Sequence, residues 1–99
     1  MIVEFRRYVE NTTKAWIVFA PYIVRGTDVP KRIWKFKNES DFLYGLIVGM
    51  IQGDVYKQFR DNYLGRRPDE EESMEIKEII ESHGEEIRDI CYMGRHKIP

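Results

Sequence analysis

Between Phe42 and Gly53 an apolar run carries a glycine at every fourth position: Gly45, Gly49 and Gly53. On a helix that spacing lines them up along one side for about two turns. Each glycine costs a helix about 1 kcal/mol relative to alanine. The segment must therefore recover through packing what it loses in propensity, and it reads as the central, buried helix of the fold. Small-residue ladders of this kind also join membrane helices. The apolar run Phe42–Ile51 is about half the length needed to span a bilayer, so no membrane insertion is expected.

Opposite the ladder lie Leu43, Ile47, Met50 and Ile51. With the glycines pressed inward, that far side is left needing a cover, which makes it the candidate self-association surface. A second copy of the chain is the expected partner, as a homodimer; the acidic helix further on is the alternative cover. The helix extends on through Val55, Phe59 and Tyr63, spaced by four. It is either continuous over 41–64 or broken at Gly53, where Asp54 would cap a second helix.

Upstream, the pattern favours strands. Ile2 to Glu10 alternates loosely, with Val3, Phe5 and Val9 on one face, and Ala15 to Ala20 is apolar on both faces. The turn Asn11–Thr13 between them predicts a hairpin. Pro21 ends or kinks the second strand. Residues 31–37 alternate again and predict a third, edge strand. Downstream, Ser40 or Asn38 caps the central helix. Asp69 and Glu72 have capping-box spacing for an acidic helix with Ile76, Ile79, Ile80 and His83 on one stripe. Gly84 ends it, and a short helix from Glu86 to Met93 follows. The expected fold is a single α+β domain over residues 1–99: an N-terminal three-stranded antiparallel sheet, the buried glycine-ladder helix, then an acidic C-terminal helical segment.

Charge is distributed unevenly about a net of −1. Residues 1–40 hold eight Lys and Arg against four Asp and Glu, whereas residues 69–99 hold four against ten. The basic half offers a candidate nucleic-acid surface: Lys31, Arg32, Trp34, Lys35 and Lys37 interleave cations with rings, and Arg66 and Arg67 can widen it. The bland reading of that stretch is an edge strand guarded by lysines, and it outweighs nucleic acid. The acidic half offers Glu71, Glu75, Glu78, Glu81 and Glu85 as a ridge toward an unidentified basic protein partner, or simply as a solvated face. A helix-turn-helix over Ile76–Met93 is disfavoured because Glu85, Glu86 and Asp89 repel phosphates.

Catalytic residues, cofactors and metal ligands are not suggested. His83, Cys91 and His96 match no zinc spacing, and neither a phosphate-binding loop nor a nucleophile elbow is present. His83 reads as a hydrogen-bonded core histidine and Cys91 as a small buried hydrophobe. The single cysteine and the absence of a signal-peptide pattern at Met1–Arg7 suit a cytoplasmic protein.

Charged residues make up 33% of the chain and Asn and Gln are scarce, a thermophile trend. Together with the Met1-Ile-Val-Glu-Phe-Arg-Arg-Tyr start, the hairpin, the apolar helix and the acidic one, the chain resembles the small orphan proteins of filamentous viruses that infect hyperthermophilic archaea. The resemblance implies a heat-stable viral protein acting in the host cytoplasm and carries over no site residue. The leading expectation for function is a non-catalytic, homodimeric protein–protein interaction protein, with nucleic-acid binding as the alternative.

Overall fold

A computed structural model describes residues 2–26 and 38–96. They form four helices: α1 (Val3–Gly26), α2 (Glu39–Phe59), α3 (Glu70–Glu81) and α4 (Gly84–His96). Alpha2 runs into one wide π-turn, Arg60–Leu64. The expected α+β class is thereby corrected. The two strands read at 2–10 and 15–20 are one continuous helix, and the third, at 31–37, lies outside the described residues.

The reason is visible in which side chains of α1 are buried. Phe5, Val9, Thr13, Ala20 and Val24 face the core, a spacing of four or seven that fits 3.6 residues per turn and not 2. The β-branched and aromatic residues that suggested strands are split by the helix. Trp16 and Ile17 flank the core, while Val18 and Phe19 face out. Burial along the helical stripe outweighs the few tenths of a kcal/mol per residue by which β-branched and aromatic residues disfavour a helix. Thr13 is buried at no polar cost, because its Oγ1 donates to the Val9 carbonyl at 2.8 Å. Pro21 removes one helical hydrogen bond near the end of α1.

Asn38 is the N-cap of α2, its side chain accepting from the Asp41 N–H. The helix passes through Gly53 unbroken. It buries Leu43, Ile47, Ile51, Val55 and Phe59, a strict every-fourth series. Each ladder glycine is two residues beyond one of these, about 200° around the wheel. The ladder is therefore on the opposite side from the core. The expected orientation is inverted: the glycines face outward and the aliphatic side chains inward. The physical cause is simple. Leu43, Ile47 and Ile51 each gain about 1.5–3 kcal/mol from leaving water, and a glycine has no side chain to bury.

Beyond the π-turn, Gly65 takes a left-handed φ of 67° and reverses the chain. Asp69 then caps α3 in the expected box. Its carboxylate accepts from Glu72 N–H at 2.8 Å, and Glu72 accepts from Asp69 N–H at 2.9 Å. Arg66 grips the same Glu72 with two nitrogens, at 2.7 and 3.2 Å. The Arg66 hydrogen bond, joined by the cap contacts, holds the Glu72 carboxyl below its usual range against the opposing effect of burial.

Cross-helix contacts give the directions. Tyr56 bonds Ser73 and Tyr44 bonds Glu81, so α2 and α3 are antiparallel. Arg6 faces Glu75 and Glu10 meets His83, so α1 and α3 run the same way. Helix α4 continues past the break at Ser82 and His83 toward the start of α2, where Arg88 lies over the Tyr44 ring. The molecule is a three-rod bundle whose third rod is broken, measuring 44 × 25 × 19 Å. The core between the rods gathers Phe5, Val9, Val24, Ile76, Ile80, Ile87 and Cys91 around the α2 series.

Gly84 begins α4 rather than ending α3, and it is a close-approach glycine. A Cβ there would meet Glu81 Oε1 at 2.9 Å and the Tyr44 hydroxyl at 3.2 Å. Among the described residues no helix is long and apolar enough to cross a membrane.

Candidate interaction surfaces

The outward face of α2 reads Asp41, Gly45, Gly49, Gly53, Lys57, again every fourth residue and all exposed. Among the described residues a Cβ added at any of the three glycines would meet nothing within 4 Å. Leu46 borders the stripe with 37% of its surface exposed, and Phe42 and Met50 are half-buried beside it. Of the four side chains read from sequence as a self-association patch, Leu43, Ile47 and Ile51 are wholly inside the chain's own core, covered by its own helices. Met50 alone reaches the surface.

A second apolar strip lies on α1. Val18, Phe19 and Tyr22 are 67%, 60% and 69% exposed, and with Ala15 they follow helical spacing. Trp16 Nε1 donates to Asp54 Oδ2 at 2.9 Å, which brings this part of α1 alongside the lower end of the glycine stripe. Ala15, Trp16 and Phe19 line a shallow apolar hollow of about 310 Å³ there. Sequence reading missed this strip because a doubly buried strand was assigned to it.

Of the candidate nucleic-acid residues, Lys31, Arg32, Trp34, Lys35 and Lys37 lie outside the described residues. Arg66 is committed to Glu72. Arg67 instead turns back beside α2, where it lines a cleft of about 410 Å³ with Gly53, Tyr56, Lys57, Arg60 and Pro68. Lys57 and Arg60 were not singled out from sequence; the signal was two cations three apart, at the end of α2 and the start of the π-turn, with a glycine turn returning Arg67 toward them.

The acidic ridge is partly solvated and partly used internally. Glu71, Glu78, Glu81 and Glu85 are exposed, and Glu75 is half-buried, 3.8 Å from Arg6. Glu81 accepts from the Tyr44 hydroxyl at 2.5 Å. Burial first, then Glu81, raises the Tyr44 phenol, with Arg88 opposing. Burial pushes the Cys91 thiol up to about 11, so it stays protonated at neutral pH.

His83 is the polar link between rods. Its Nε2 is 2.6 Å from Glu10 Oε1 on α1, and its Nδ1 is 3.0 Å from Glu86 Oε1 on α4. Burial acts to lower its pKa, but the hydrogen bonds to Glu86 and Glu10 and their charges win, and the net shift is upward from 6.5. Lys14, 3.8 Å from Glu10, is the one cation recorded against this trio among the described residues. A raised folded pKa gives stability that is fully present below about pH 6.5 and is lost as pH rises through the folded value. Urea unfolding should therefore show a lower midpoint at pH 8 than at pH 6, and His83→Gln should flatten that difference.

No family model matches the chain, and comparison with the curated proteins and the solved structures found no match.

Proposed function

We propose that the protein is a non-catalytic protein–protein interaction protein that pairs with a second copy through the outward face of α2. One observation carries the reading. Three exposed glycines in one helix together cost about 3 kcal/mol, and nothing among the described residues packs against them. A partner backbone that needs the missing Cβ atoms is the arrangement that offsets this cost.

The stripe is also self-complementary. Gly49 stands midway, with acidic Asp41 eight residues before it and basic Lys57 eight residues after it. Two copies of α2 crossing about a two-fold axis at Gly49, at the roughly 50° inclination that lays their every-fourth rows over each other, bring each Asp41 toward the other copy's Lys57, as an isologous contact requires. The ion pairs would sit about 24 Å apart along the helix, with Leu46 and Met50 lining the seam and Phe19 and Tyr22 of α1 at its border. These exposed pairs set register rather than affinity.

Analytical sedimentation tests the reading. Wild-type protein is expected to form a species of twice 11.9 kDa at high concentration. Gly49→Glu places two like charges on the axis and should leave a monomer with unchanged helix content. A wild-type chain that stays at 11.9 kDa at every concentration, or a Gly49→Glu variant that dimerises as before, would overturn it.

A further inference from the structure

The cleft at the lower end of α2 goes beyond pairing: it shares Gly53 and Lys57 with the outward stripe, but Arg60 and Arg67 lie outside that stripe. Its lining of Gly53, Tyr56, Lys57, Arg60, Arg67 and Pro68 contains three cations and no carboxylate. Nearby acids are turned elsewhere. Asp69 and Glu72 close the capping box, Glu72 also holds Arg66, and Tyr56 bonds Ser73.

Arg60 pairs through Nε with Asp61 at 3.0 Å, and that contact leaves the far edge of the guanidinium free of Asp61. Among the described residues Lys57 and Arg67 carry no ion pair. The cluster is assembled by an unusual backbone. The π-turn Arg60–Leu64 and the left-handed Gly65 fold Arg67 back onto α2, and π-turns recur at functional sites. Gly53 leaves the floor open where a side chain would narrow it. Like charges gathered at an uncovered hollow repel one another, and a multiply charged anion relieves that repulsion.

We propose that this cleft binds phosphate groups, with Arg60 and Arg67 as the principal ligands and Lys57 at the rim. Guanidinium groups suit the geometry of phosphate oxygens. The cleft exceeds what one phosphate fills, so it accommodates adjacent phosphates of a nucleic-acid backbone or of a free polyphosphate. When Lys57 faces the Asp41 of a second copy, the two arginines still line the cleft.

Two probes distinguish the sources: a fluorescently labelled single-stranded oligonucleotide, read by anisotropy, and tripolyphosphate, read by calorimetry. Three contacts to a single strand predict that log K falls with log salt at a slope of about −2. Arg60→Ala or Arg67→Ala should each reduce that slope by about 0.7, and the double variant should lose binding of either probe. Arg60→Lys with Arg67→Lys should restore part of it, and Arg7→Ala on α1 should change nothing. Tighter oligonucleotide binding assigns the polymer, and tighter tripolyphosphate binding the free anion. The proposal fails if neither probe binds at low salt. It also fails if the double alanine variant, with unchanged helix content, binds as the wild type does.

Discussion

Replacing Phe59 with alanine is expected to destabilise the fold by about 3–5 kcal/mol, the largest loss from a single side chain in the bundle. Phe59 is wholly buried where α2 meets the start of α1. Its ring is edge-on to Phe5 at 5.1 Å and to Tyr63 at 5.1 Å, and Phe5 in turn stacks on Tyr63 at 4.7 Å. Truncation removes the transfer free energy of the ring, leaves a cavity, and breaks two aromatic contacts. Total stability for a domain of this size is about 5–15 kcal/mol, so the variant should melt on the order of 20 °C lower. Phe19→Ala is the control: that ring is exposed, and in the monomer its loss should move stability by less than about 0.5 kcal/mol. Equal effects for the two would mean that the core is not where the structure puts it.

The second large effect has the opposite sign. Converting Gly45, Gly49 and Gly53 together to alanine should stabilise the isolated chain by about 3 kcal/mol. All three are helical, none has a positive φ, and none has a neighbour among the described residues for the new Cβ to strike. The melting temperature of dilute protein should rise by about 12–24 °C. The same three methyl groups push apart two backbones packed on this stripe, so self-association should weaken. A triple variant that is less stable as a dilute monomer would mean the glycines pack inside the chain. One that is more stable but dimerises normally would place the dimer on another face.

Parts of this architecture were readable because they depend on neighbours in sequence. The Asp69–Glu72 box and the Asn38 cap follow from side chains meeting backbone within a few residues, and the placing of Cys91 and His83 on apolar stripes from helical spacing; the partner Glu10 of His83, on α1, was not readable. The every-fourth series through Val55, Phe59 and Tyr63 likewise marked a helical stretch after Gly53, while its continuity with the first half was left open and is settled by the unbroken α2. In α1 the helical spacing of Phe5, Val9, Thr13, Ala20 and Val24 was present but masked. Val3, Phe5 and Val9 also fit a loose alternation, and the apolar run Ala15–Ala20 hides which of its members are inside. The candidate surfaces were harder still. Arg67 and Arg60 are neighbours only because a π-turn and one left-handed glycine fold the chain back.

The sequence by itself determined that the apolar run Phe42–Gly53 forms a helix with a bare stripe and a branched one, since helical periodicity fixes which residues share a side; it left open whether that helix continues past Gly53. It did not determine which stripe faces inward. Three rods closing around Leu43, Ile47 and Ile51 decided that, because burying aliphatic surface is favourable and glycine offers none to bury. The ladder that looked like the centre of the molecule is its outer face.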